Sequence, residues 1–134
     1  MSYRDRIIEV AQSQLGKRGP LPYSKGKSTL WCGHFVCWVL KEAGLNVNLD
    51  VREPGKRLCE SLIATNIGGY GDIVRWDNGH CAILVPLGGV IAGGMLNDPV
   101  AFKHYEGHWK MRVYSIEELI RNAEMTGGVT GEVG

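Results

Sequence analysis

The sequence predicts an α+β domain, with an N-terminal helical part packed against a central antiparallel sheet of about five strands. Three features lead there. In the first half, apolar residues recur at helical spacing, and Gly16 and Gly44 are placed to end two of the segments. After Asn66 the pattern changes to short β-prone runs separated by Gly, Asn, Asp or Pro. The chain has 134 residues, enough to bury one sizeable core, and shows no internal repeat.

The elements follow in order. Residues 3–15 read as a helix, since Ile7, Ile8, Ala11 and Leu15 fall near one face. A loop, GKRGPLPYSKGKS, comes next. The second helix spans about residue 30 to Ala43, after a cap-like Ser28-Thr29 pair. Cys32, Val36, Leu40 and Ala43 make its stripe, and Phe35 and Val39 widen it, so this helix belongs in the middle of the fold. Pro54 opens a shorter helix with Leu58, Leu62 and Ile63 on its buried side. DIVRW, HCAILVP, GVIAGG, VAFKHY and WKMRVY supply the strands of an antiparallel meander. Ser115-Ile116-Glu117-Glu118 has the form of a capping box and starts a last helix running to about Met125. One domain is expected over 1–126, with a flexible Gly-rich tail over 127–134.

Composition narrows the function classes. The formal charge is only +1 and the basic clusters, Lys25 with Lys27 and Lys56-Arg57, are short, which gives no electrostatic case for nucleic acid. No segment approaches the ~20 apolar residues of a membrane span. The start, MSYRDRII, lacks the apolar stretch and cleavage site of a secretory signal, so synthesis in the cytoplasm without export by that route is expected. The four cysteines, Cys32, Cys37, Cys59 and Cys81, are then free thiols rather than a disulfide framework.

Among them Cys32 stands out. A thiol in the first turn of a helix feels the positive end of the helix dipole, which favours thiolate over thiol. A thiolate nucleophile needs a base, commonly His. His34 is two residues away, about 200° around the helix axis, and is poorly placed. His80 opens the strand HCAILV, where a sheet can hold it against the end of a packed helix; His104 ends a later strand and His108 lies in a turn. A competing reading takes Cys32, His34, Cys37, His80 and Cys81 as zinc ligands. Their spacing fits no common structural zinc motif, and the helix spreads the first three around its circumference, so no metal or cofactor is expected.

The stretch LWCGHFVCWVLKEAGL resembles the CxxFVxWxLxxAG helix of papain-like cysteine amidases and peptidases of the NlpC and CHAP groups, especially their small phage-associated members. GYGDIVRWDNGHCAILV is similar to their PGDIVxF…GHVGIV segment, EVAQSQLGKRG to the preceding helix, and GGVIAGGML to the following strand. The pieces cover roughly residues 5–105, in the family's order. The resemblance implies a papain-like fold, with Cys32 as nucleophile and His80 as base. It implies cleavage of an amide bond in peptidoglycan stem peptides, or between stem and glycan, by an endopeptidase or amidase. The family's orienting residue on the next strand, often the Asn of GGN, is replaced here by Met95 in GGMLND; Asn97 is the expected third member, with Asp98 next. Tyr23 resembles the tyrosine of the loop before the nucleophile and, with Trp31, is expected to meet substrate. The alternatives carried forward are a protease or deamidase acting on proteins, and a non-catalytic binding domain of the same fold. The expected partners are the stem peptide and, for a phage enzyme or injected effector, a particle component or an immunity protein. Action on the wall would follow lysis-type release or injection.

Overall fold

The computed structural model describes residues 1–24, 30–105 and 110–128. The Lys25–Lys27 cluster, the Ser28-Thr29 pair, His108, Trp109 and the tail from residue 129 lie outside them. In chain order the elements are α1 (Tyr3–Ser13), α2 (Cys32–Glu42), α3 (Pro54–Ser61), β1 (Ile63–Thr65), β2 (Ile73–Trp76), β3 (Cys81–Val85), β4 (Gly89–Ala92), β5 (Ala101–His104), β6 (Met111–Ser115) and α4 (Glu117–Ala123), closed by a π-helical turn, Glu124–Gly128. No helix among the described residues is long and apolar enough to cross a membrane.

The fold is α+β. Its sheet has six strands in the order β1-β6-β2-β3-β4-β5, each antiparallel to its neighbours. Five of them match the runs picked from the sequence. The sixth, β1, was hidden because three residues at a sheet edge show no alternation to read. It corrects the third helix. α3 ends at Ser61, and Ile63, expected on its buried side, pairs with Ser115 and is 66% exposed.

Local chemistry sets the helices. Ser2 caps α1 by accepting from the Asp5 N–H at 3.0 Å, and Ile7 and Ala11 face the core. Gly16, at φ 85°, lets the chain reverse after a helix two residues shorter than expected. α2 buries Phe35, Val36, Cys37, Val39 and Leu40 against α1, α3 and the central strands β3 and β4. At the C-terminus the capping box does not form. Ser115 is still paired in β6, so the helix starts later with Ile116 as N-cap, while the Ser115 Oγ accepts from the Glu117 N–H at 3.2 Å.

Two junctions bind these layers. The buried Asp72 carboxylate accepts from Gly69 N–H (2.7 Å), Ile116 N–H (3.0 Å) and Arg4 (3.0 Å), joining α1, the entry to β2 and the start of α4. The other is a backbone crossing. A Cβ added at Gly55 would stand 2.7 Å from Gly33 Cα and 3.1 Å from Cys81 Sγ, so the first turns of α2 and α3 meet where only glycine fits. Gly55→Ala is expected to cost about 1–3 kcal/mol through overpacking. Chemical denaturation against wild type measures it, and an unchanged midpoint would show that the crossing yields freely.

Candidate active site

Cys32 is the first residue of α2. Its N-cap, Trp31, has non-helical angles (φ −125°, ψ 17°) and offers no side-chain cap, so the first-turn N–H groups have no intrahelical acceptor. Trp31 fixes where that turn begins. Its ring leaves no room for a Cβ at Gly19 or Gly93, its Nε1–H donates to Leu96 O at 2.9 Å, and its backbone N–H donates to Gly94 O at 2.9 Å. The nucleophile candidate is thereby tied to the chain leaving β4.

His80 is set by the tight hairpin between β2 and β3. Trp76 N–H donates to His80 O at 2.8 Å, Gly79 N–H donates to Trp76 O at 2.8 Å, and the Asn78 side-chain oxygen accepts from His80 N–H at 2.9 Å. The imidazole stacks on the Trp76 indole, with centroids 5.2 Å apart and planes inclined by 30°. Its open side meets Cys32.

The Cys32 sulfur is held as a thiolate. Hydrogen bonding from the Cys81 thiol is the largest influence; hydrogen bonding and charge from His80, and the Cys81 backbone, act the same way. Together they outweigh burial and bring the pKa from 9.0 down to about 4. Cys81 is pushed far up, because its proton serves the Cys32 sulfur and it is itself buried. Burial pushes Cys37 up to about 12 and Cys59 to about 11. All four cysteines are free thiols. Burial lowers His34, opposed by the charge on Cys32. Among the described residues no three His, Cys, Asp or Glu side chains converge as a metal site would require, so the zinc reading of Cys32, His34, Cys37, His80 and Cys81 is set aside.

Cys32, His80, Leu30 and Met95 stand at the seam of two connected cavities. The one on the α3 side, of about 700 Å³, is lined by His34, Arg52, Glu53, Lys56 and Arg75. The one along β4 and β5, of about 520 Å³, is lined by Trp76, Ala92, Asp98, Lys103 and His104.

The other expected residues lie elsewhere. Tyr23 and Trp31 are core residues, 3% and 0% exposed, stacked on each other at 5.2 Å, and neither lines the groove; the Tyr23 hydroxyl donates to Gln14 Oε1 at 2.8 Å. Asn97 is exposed and engages Arg18 through its carbonyl, while Asp98 Oδ2 accepts from Met95 N–H at 3.1 Å. Neither hydrogen-bonds His80. The reason is that β4 ends at Ala92, and Gly94 and Met95 run on beside Trp31 and Leu30 instead of continuing along β3. What the sequence reading passed over is Cys81 as a hydrogen-bond partner of the Cys32 sulfur, and Trp76 as the platform under the imidazole. The pleat offered a signal for both: neighbours in a strand face opposite sides, so beside a His reaching over one face Cys81 faces the helices.

No protein-family model matches the chain, and no curated protein matches it. Solved structures do. At 15% identity and a TM-score of 0.61 the chain is similar to RipD of Mycobacterium tuberculosis, described as a non-catalytic NlpC/p60 domain protein adapted to peptidoglycan binding, over 85% of this chain and 95% of that one. It is similar to a cysteine-mutated form of RipA, the resuscitation promoting factor interacting protein, at 15% identity and a TM-score of 0.64, over 84% of this chain and 61% of that one. The chain shares the fold of these NlpC/p60 domains.

Iodoacetamide labelling of Cys32, followed by peptide mass analysis, is expected to change little in rate from pH 5 to 8 and to fall as pH drops through about 4, because the reactive thiolate is lost only there. Cys81→Ala is expected to move that fall to higher pH. A profile still rising through pH 8 in the wild type would mean the thiol is not activated.

Proposed function

We propose that the chain is a cysteine hydrolase that cleaves an amide bond of a peptidoglycan stem peptide. The observation that carries this reading is the placement of one low-pKa sulfur, Cys32, at a helix N-terminus beside His80, in a groove open on both sides. The NlpC/p60 fold, and the description of RipD as peptidoglycan-binding, support the choice of substrate.

The chemistry is acyl transfer. The Cys32 thiolate attacks the amide carbonyl, and the new oxyanion accepts hydrogen bonds from open first-turn N–H groups of α2, beginning with that of Cys32 itself. The imidazolium of His80 gives its proton to the leaving amine as the C–N bond breaks. A thioester remains on Cys32. Water attacks it while His80 takes the water's proton; the carboxylic product leaves and the thiolate returns. Tyr23 has no part in this sequence, since its hydroxyl is committed to Gln14 away from the groove. Asn97, the expected third member, has no role either; Trp76 holds the imidazole plane from behind.

Digestion of purified peptidoglycan, with mass analysis of the released muropeptides, tests the reading. Wild type is expected to release cut stem peptides, and Cys32→Ala and His80→Ala each to lower turnover about 10³-fold or more while unfolding at an unchanged midpoint. Binding to peptidoglycan with no product, equal in wild type and Cys32→Ala, would overturn hydrolysis in favour of a binding domain. Cleavage of denatured protein but not of peptidoglycan would overturn the substrate.

A further inference from the structure

The α3-side cavity is lined by more positive than negative side chains. Arg75, on β2, lies opposite Cys81 on one neighbouring strand and opposite Arg112 on the other. It follows Ile73 by two residues and so shares the sheet face that carries the helices. Its side chain lines the cavity wall, its Nε is buried without a hydrogen-bond partner, and it makes no ion pair among the described residues. On the same wall Ser24 is 8% exposed and its Oγ is also without a partner. Arg52 and Lys56 stand exposed at the rim, and Glu53 is the one carboxylate among the described lining residues.

These features do not serve the fold. A buried guanidinium nitrogen without an acceptor is destabilising, and two arginines directly opposite in a sheet repel. A ligand that brings a carboxylate to the cavity-facing edge of the guanidinium offsets the like-charge cost, because its two oxygens match the guanidinium fork. A carboxamide matches poorly, having one acceptor and no charge.

We propose that the α3-side cavity is a carboxylate-binding subsite, with Arg75 anchoring the anion, Arg52 and Lys56 adding positive field at the rim, and Ser24 offering a neutral donor. The protein then selects ligands whose carboxyl group beside the scissile bond is free over those in which it is amidated. This deepens the hydrolase reading, since stem-peptide carboxyls occur in both forms, and it rests on that reading only for the identity of the ligand.

Two small probes test the subsite without any peptide. Iodoacetate and iodoacetamide alkylate the same sulfur and differ only as carboxylate and carboxamide. The ratio of their rate constants at Cys32, read by site-specific mass analysis, is expected to exceed the ratio for free cysteine by about tenfold or more. Because His80 also lines the cavity, the decisive comparison is Arg75→Met, expected to lower the ratio about fivefold or more, with Arg75→Lys retaining part of it. The exposed double variant Arg52→Gln, Lys56→Gln, which carries little folding risk, is expected to lower it less. A ratio equal to that of free cysteine, or one unmoved by Arg75→Met and by the rim variant, would overturn the subsite. An Arg75-dependent ratio in a protein that releases no muropeptides keeps the subsite and removes the hydrolase. An Arg75-independent ratio, with equal cleavage of free and amidated stem peptides, keeps the hydrolase and removes the subsite.

Discussion

The backbone contact between Gly33 and Gly55 is the constraint from which the rest of the site follows. It brings the first turn of α3 against the first turn of α2 directly above Cys81, with no side chain between. One consequence is geometric: Arg52, Glu53 and Lys56, which flank Pro54 and Gly55, become a wall of the groove that Cys32 opens into. The other is electrostatic. With two glycines at the crossing, the Cys81 thiol lies close enough to give its hydrogen to the neighbouring sulfur. Trp31 completes the frame from the opposite side, its ring held between Gly19 and Gly93. The position of one sulfur is thus fixed by two glycine-lined contacts and an indole, all outside the reacting groups.

The cysteines show how far environment outweighs residue type. Cys37 and Cys59 are buried, and desolvation is the largest influence making their thiolates unfavourable, outweighing the nearby Arg75 at Cys59. Cys32 also loses solvation, yet a thiol donor, an imidazole and a helix N-terminus surround it, and the balance reverses. Cys81 supplies the other half of that balance by keeping its proton. A wide pKa separation between adjacent sulfurs leaves one charged and one neutral at neutral pH, the arrangement in which the neutral one stabilises the charged one.

Much of this was legible in the sequence, and the remainder has identifiable reasons. Helical spacing located α1 and α2, and the proline at the start of α3 marked its first turn, because those signals are local. The strands from DIVRW onward were readable from their punctuation. β1 was not, since a three-residue edge strand is defined by its partner β6 fifty residues later. Tyr23 and Trp31 lie near Cys32 in sequence, but their rings turn inward to fill the space under α2. Proximity along the chain says nothing about which face a ring takes. Asn97 lies away from His80 for a related reason: β4 ends at Ala92, and Gly94 turns to accept from the Trp31 N–H. Arg75 carried no sequence signal, because a lone arginine in a strand gives no hint of an unsatisfied nitrogen.

On the hydrolase reading, the lack of a polar group oriented on the His80 ring among the described residues is less of a deficit for a thiolate than it would be for a hydroxyl. A serine nucleophile must be deprotonated during attack, so its histidine has to begin in one tautomer, and a third polar group selects it. In the proposed mechanism the sulfur is charged before substrate arrives, and its charge rests on the Cys81 thiol and backbone as well as on His80. The mechanism proposed above then asks the imidazole to keep its plane, which the Trp76 stack and the hairpin hydrogen bonds favour. A ring held by an indole cannot receive a hydrogen bond from it, so stacking fixes orientation while leaving the outer nitrogen to solvent or substrate. Orientation by packing and activation by a second thiol divide between them the work that one polar side chain does in the related arrangement.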